Sequence, residues 1–281
     1  MSSIPYTAPN ETVRTLIFEN DFPVLTPKPF LGKSGRISLL SVSSWGTLDE
    51  YGTQKRPGTR MAYQTADAKR QFDRWSYWYD WDPLQLVFFR PAHQMLLNAL
   101  DAADERILDI GCGTGAFAAR LLERWPAAHV WGVDLSHGML RTCVERRTEL
   151  RDHLHLVQAN SERLPFKDNA FDAVTCTHSF HHYPRQALAV AEMQRVLRPS
   201  GKLLIIDGDP GGWWGGFVFD ILVVSFEGPV HHLTARDWVD LFCRSGFDNV
   251  VQHRRGGPLP FLLTCGQAVK TTRTIPSRRA A

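Results

Sequence analysis

"ILDIGCGTGAF", residues 107–117, reads as a short apolar strand, a glycine-rich turn and the start of a helix. Gly111, Gly113 and Gly115 allow a backbone to come close to a ligand. The spacing Gly111-x-Gly113-x-x-Ala116 also satisfies the relaxed dinucleotide fingerprint. Two cargoes fit such a loop: a dinucleotide, or a nucleoside cofactor without phosphates. Asp109 separates them. A carboxylate two residues before Gly111 would repel a pyrophosphate seated at the following helix N-terminus. It would favour a cationic cofactor such as S-adenosylmethionine, which carries a sulfonium and an ammonium. Asp134, in "WGVDLS", ends the next strand about twenty residues on, where a carboxylate accepts hydrogen bonds from ribose hydroxyls of either cofactor.

Outward from this stretch the pattern is regular. "RILDI", "HVWGVDL", "LHLVQAN", "FDAVTCTHSF", "KLLIIDGD", "NVVQHR" and "PFLLTCGQAV" read as strands. Helical segments "GAFAARLLERW", "GMLRTCVERRTEL", "RQALAVAEMQRVL" and "TARDWVDLFCRSG" stand between them, the last with Thr234 as N-cap and Gly246 just past its end. Alternating strands and helices imply an α/β fold, a mainly parallel seven-stranded sheet with helices on both faces. Ligands of such sheets sit beyond the carboxyl ends of the strands. Two further helices are expected over "TADAKRQFDRWSYWYD" and "PLQLVFFRPAHQMLLNAL", separated near Pro83.

The chain has 281 residues, 43% hydrophobic and 22% charged, with a net charge of +3. This balance suits a globular protein and gives no dedicated nucleic-acid surface. Five dispersed cysteines without a C-x-x-C imply reduced thiols and a cytoplasmic location. No signal peptide is read at the N-terminus. Residues 1–60 lack a sustained period and are expected to form a poorly ordered arm, with the domain proper over 61–281. Alternatively, translation begins at Met61, and the intact mass of the native protein tests this.

"LDIGCGTG", "GVDLSHGML", "VQANSERLPFKDNAFDAVTC" and "VLRPSGKLLI" together resemble the class I S-adenosylmethionine-dependent methyltransferases, in the subgroup of ubiquinone and menaquinone methyltransferases. The resemblance covers roughly Phe72 to Lys202, with the motifs in order. It implies a Rossmann-like fold and S-adenosylmethionine as cofactor. By resemblance, Asp109, Gly111, Cys112, Gly113, Thr114 and Gly115 form the methionine-side loop. Asp134 holds the ribose, Leu135 and Met139 flank the adenine, and Asn160 and Ser161 meet its edge. Thr177 follows the fourth strand. The chain departs from the commoner "GDA" with "ANS", so Asn160 would offer a neutral amide oxygen to the adenine amine. Trp75, Tyr79 and Asp80 match a region that in the family covers the cofactor mouth.

Methyl transfer aligns donor and acceptor at about 3–3.5 Å and needs a base only if the acceptor holds a proton. Candidate bases are His178, His181 and His182 in "THSFHHYP", with His231, His232, Asp207 and Asp209 as further candidates. Packed loop histidines are the competing reading. Neither an H-E-x-x-H nor a cysteine pair is present, so no metal is expected. The chain lacks the "[DNS]-P-P-[YFW]" of nucleic-acid and protein amine methyltransferases, which disfavours those acceptors. Residues 207–233, "DGDPGGWWGGFVFDILVVSFEGPVHHL", hold an aromatic and aliphatic run after the fifth strand. They point to an apolar or aromatic small-molecule acceptor. A peripheral membrane contact through 212–226, serving a lipid or quinone, is the second expectation, and a core helix with a glycine-rich lead-in is the structural alternative. A binding protein that transfers nothing, and a nicotinamide dehydrogenase, are the rival functions.

Overall fold

The structure, a computed structural model, describes residues 14–16, 89–219 and 230–269. All of these fall within one compact unit of the chain. The rest of the N-terminal arm, the helix expected over 65–80 with Trp75, Tyr79 and Asp80, and the aliphatic run 220–229 lie outside the described residues.

Eight strands form one sheet among the described residues, in the order β1-β4-β3-β2-β5-β6-β8-β7. The strands are β1 (Arg14–Leu16), β2 (Arg106–Ile110), β3 (His129–Asp134), β4 (Leu154–Gln158), β5 (Phe171–Thr177), β6 (Leu197–Gly208), β7 (Phe247–Arg255) and β8 (Phe261–Ala268). Strands β4, β3, β2, β5 and β6 run parallel. β8 is antiparallel to both β6 and β7. The seven strands expected from the sequence are β2–β8. The three-residue β1 adds an antiparallel edge against β4. The fold is α/β as expected, with β2 at the point where strand order reverses, between β3 and β5.

Helices cover both faces. α1 (Arg90–Ala99), α2 (Ala116–Arg124) and α3 (His137–Arg146) carry residues of one apolar core. α4 (Gln186–Val196) and α6 (Ala235–Arg244) carry residues of the other; the short α5 (Gly212–Gly216) follows β6. β2 shows why both layers form. Ile107 belongs to the first core and Leu108 to the second, and both are wholly buried. Each such side chain contributes about 1.5–3 kcal/mol by leaving water. Pro91 sits in the first turn of α1, where its missing N–H costs nothing. Thr234 caps α6 as the sequence suggests. Its hydroxyl accepts from Asp237 N–H, and the Asp237 carboxylate accepts in return from Thr234 N–H, a reciprocal capping box. Gly246 follows the helix in the left-handed region, at φ 84°.

Candidate functional site

A cavity lies beyond the carboxyl ends of the central parallel strands. Ile110, Gly111 and Gly113 contribute from the loop after β2, and Val133, Asp134, Leu135 and Ser136 from the end of β3. Ala159, Asn160 and Ser161 follow β4. Thr177, His178 and Ser179 end β5, and His182, Tyr183 and Pro184 complete the wall.

The glycine loop is held from within. Gly111 N–H and Cys112 N–H both donate to Val133 O, at 2.8 and 3.1 Å. Gly111, Gly113 and Gly115 all have positive φ, at 71°, 53° and 75°. They do different work. A Cβ at Gly111 would stand 2.2 Å from Ser179 Oγ, and one at Gly115, the N-cap of α2, would stand 2.5 Å from Cys143 Sγ. A Cβ at Gly113 would meet nothing within 4 Å among the described residues, although this residue lines the cavity. Gly111 and Gly115 therefore serve close packing, whereas Gly113 faces open space.

Asp134 joins loop to helix. Its Oδ2 accepts from Gly113 N–H at 2.9 Å, and its Oδ1 from Ser136 N–H at 2.8 Å. Ser136 in turn caps α3, its hydroxyl accepting from Met139 N–H at 3.1 Å. Asn160 turns its amide oxygen to Glu162 N–H at 2.9 Å, which leaves that oxygen one lone pair for a ligand. Thr177 Oγ1 is buried with no hydrogen-bond partner among the described residues.

Four residues expected around the cofactor stand behind the wall, and each has a packing reason. Asp109 is buried and accepts from the Thr175 hydroxyl at 2.9 Å. Cys112 packs under Gly132, at a distance that leaves no room for a Cβ there. Thr114 is buried in the turn, and Gly115 opens α2 against Cys143. Gly111, Gly113, Asp134, Leu135, Met139, Asn160, Ser161 and Thr177 do line the cavity. Sequence reasoning passed over Ser136, Ser179 and Tyr183. Ser136 carried a signal, a serine three residues before Met139 at a helix start.

The histidines divide. His178 and His182 reach the cavity; His181 does not. Burial pushes the His178 imidazole down to about 3 and holds His182 well below its ordinary value. Both are weak bases near neutrality. His181 lies behind them with Nδ1 2.6 Å from Asp207 Oδ1. Burial pushes the Asp207 carboxyl up, but the His181 imidazole outweighs this and holds it below the usual range. Asp207 is thus committed to His181, and Asp209 is paired with Arg254 at 2.5 Å. Neither is among the wall residues.

These shifts set an acid-side stability profile. Burial lowers His93 and His178 to about 3 and His232 to about 4, from 6.5. Between those values and 6.5 the unfolded chain binds more protons at these sites, so stability is full above pH 6.5 and falls as pH drops. Asp109 opposes this, because burial raises it from 3.8 to about 7. There the native state holds the extra proton, and stability falls as pH rises from 4 to 7. Three histidines against one carboxyl make the net slope positive. Asp109→Asn removes the opposing contribution. Its melting temperature should match the parent near pH 4 and exceed it increasingly up to pH 8, by an amount worth at most about 4 kcal/mol. Equal melting temperatures at both pH values would contradict this.

Residues 108–205 match the family model described as a methyltransferase domain. The demethylmenaquinone methyltransferase of Thermus thermophilus is 40% identical over 113 residues, which are 40% of this chain and 51% of that protein. A malonyl-(acyl-carrier protein) O-methyltransferase of Geobacter sulfurreducens is 42% identical over 136 residues, 48% of each chain. The chain spans about half the length of these curated relatives. A solved S-adenosylmethionine-dependent methyltransferase of Thermotoga maritima, described as a possible histamine N-methyltransferase, superposes with a TM-score of 0.58 at 20% identity. That match covers 71% of this chain and 99% of the solved one. The fold is therefore that of the class I Rossmann-like methyltransferases, and the sequence likeness spans residues 108–205.

Proposed function

We propose that this protein is an S-adenosylmethionine-dependent methyltransferase acting on a small apolar or aromatic acceptor. The observation that carries this reading is the cavity at the end of β2 and β3, where Asp134 and the open face of Gly113 stand side by side. The residues present fit the cofactor. Among the described residues, Gly113 offers backbone where a Cβ would meet only open space, and Thr177 offers a buried hydroxyl that lacks a partner.

In this reading Asp134 accepts from the ribose hydroxyls with the lone pairs that Gly113 and Ser136 leave. Leu135 and Met139 flank the adenine, and Asn160 and Ser161 meet its edge. Ile110 and Val133 exclude water from the same wall. When bound, the cofactor supplies a methyl group already activated by its sulfonium. His178 and His182 shape the acceptor side as neutral imidazoles. An acceptor that needs no strong histidine base suits them, and the rate should vary little between pH 6 and 8. A tenfold rise across that range would contradict neutral histidines. The five dispersed cysteines, with no C-x-x-C among them, support a cytoplasmic location.

Cofactor labelled on its methyl group, incubated with the protein and host extract, tests the acceptor. Label in the organic phase is expected. Label confined to water would turn the search to polar metabolites.

A second reading, a lipid or quinone acceptor taken at a membrane surface, is favoured by the chain after β6. Trp213 is 84% exposed, and Trp214 and Phe217 are also exposed. Arg255 ends β7 in register with Phe261, beside Arg254, whose charge Asp209 already takes up. Exposed aromatics together with a cation such as Arg255 suit an anionic interface. No helix among the described residues is long and apolar enough to cross a membrane. Sedimentation with phosphatidylglycerol vesicles should carry the protein down, and Trp213→Ala with Phe217→Ala should release it. Equal sedimentation of parent and double variant would remove this reading.

A further inference from the structure

Three donor-bearing side chains from distant parts of the chain meet at the carboxyl end of β6. Asp207 lies near the end of that strand. His181 sits in the 3-10 turn Phe180–His182 after β5, and His232 in the segment before α6. His181 Nδ1 is 2.6 Å from Asp207 Oδ1, and His232 Nδ1 is 3.7 Å from the same oxygen. One donor atom from each lies within 4.8 Å of the other two. The side chains of His181, Asp207 and His232 are 6%, 2% and 1% exposed.

His232 is the anomaly. Both of its ring nitrogens are buried without a hydrogen-bond partner among the described residues. Its contact with Asp207 is too long for a hydrogen bond, and its ring lies 4.7 Å from that of Phe219. Buried polar groups are ordinarily satisfied, so two orphans on one ring call for a missing partner.

We infer that His181, Asp207 and His232 bind one divalent first-row transition ion, of the zinc or cobalt kind. Two imidazoles and one carboxylate suit such an ion, whereas magnesium and calcium prefer oxygen alone. The ion takes a lone pair from His232. It also replaces the proton shared by His181 Nδ1 and Asp207 Oδ1, which leaves to solvent. The carboxylate is already oriented, with Oδ2 accepting from His181 N–H at 3.0 Å and Oδ1 from Gly208 N–H at 2.8 Å. Such outer bonds are what metal carboxylates use. The two histidine segments are also tied without the ion, by His231 N–H to His181 O at 3.0 Å. The centre stands one side chain behind the cavity: the rings of His181 and His182 are 4.3 Å apart, and His182 lines the wall. Three protein ligands leave a tetrahedral ion one open position. Spacing in the sequence could not reveal this set, because its members lie on three separate elements. It stands apart from the methyl-transfer reading.

Cobalt(II) titration of the tag-free, metal-stripped full chain tests the site. One equivalent should bind with visible d–d absorption. His232→Asn should weaken binding at least about 100-fold, while His231→Ala, at the exposed neighbour, should not. Absence of the one-equivalent absorption, or a His232→Asn protein that binds as the parent does, would overturn the assignment. A melting curve shows whether His232→Asn folds. If it does not, ring nitrogen resonances of the parent decide: added zinc should move those of His181 and His232, and movement confined to exposed histidines would overturn the site.

Discussion

Asp134→Ala should weaken S-adenosylhomocysteine binding by at least about 100-fold and also lower stability. The carboxylate does two jobs. It accepts from Gly113 N–H and Ser136 N–H, which ties the glycine loop to the start of α3. It also lines the cavity, where the proposed function has it accept from the ribose hydroxyls. Hydrogen bonds to a charged acceptor contribute about 1.5–3 kcal/mol each, and every 1.4 kcal/mol is tenfold in affinity. Losing two from a ribose diol accounts for the 100-fold. Two donors left without an acceptor add about 1–3 kcal/mol each of destabilisation if water cannot reach them. Asp134→Asn separates the two jobs, because its single amide oxygen can replace only one. It should fall between parent and alanine variant in both calorimetric affinity and melting temperature. An alanine variant that bound the ligand as the parent does would exclude Asp134 from the ribose site.

The second large effect is a contrast between neighbouring glycines. Gly111→Ala should destabilise the fold by about 2–5 kcal/mol, from a left-handed backbone and from overpacking. The new methyl would overlap Ser179 Oγ. That hydroxyl has little room to move, being 3.0 Å from the Tyr183 hydroxyl and 3.2 Å from Cys176 Sγ. Gly113→Ala adopts a similar backbone but meets nothing, so it should cost only about 1–2 kcal/mol. It should fold and yet bind the cofactor product at least tenfold more weakly, because Gly113 lines the cavity that the proposed function gives to the cofactor. Chemical denaturation and calorimetry on both variants check the pair. Equal stability of the two would show that Ser179 yields freely.

The parallel core and its order of elements were legible because each segment announces itself locally. "RILDI" is apolar and bounded by charged and glycine residues, and β2 spans those five residues. Thr234 and Gly246 marked the two ends of α6 for reasons of capping chemistry alone. The helix expected over 138–150 proved shorter, because α3 ends at Arg146 and a separate 3-10 turn covers Thr148–Leu150. Propensity alone could not place that break. β6 begins at Leu197, earlier than the glycine at 201 suggested, through an irregular pairing with β5.

The site was legible in part for a similar reason. Residues at strand ends, such as Gly113, Asp134 and Thr177, project where the topology directs them. Which side of the chain a loop residue faces is a tertiary matter. Asp109 therefore turned to Thr175, and Gly115 to Cys143, without any sign in the sequence. The pairing of Asp207 with His181 was equally hidden, since 26 residues and a whole helix separate them.

The most direct test of the central claim is calorimetric titration of the full chain with S-adenosylhomocysteine and, separately, with NADH. One equivalent of S-adenosylhomocysteine should bind, NADH should give no heat of binding, and Asp134→Ala should lose the first signal. Tight binding of NADH with none of S-adenosylhomocysteine would mean that the glycine loop serves a dinucleotide and that the methyltransferase reading is wrong.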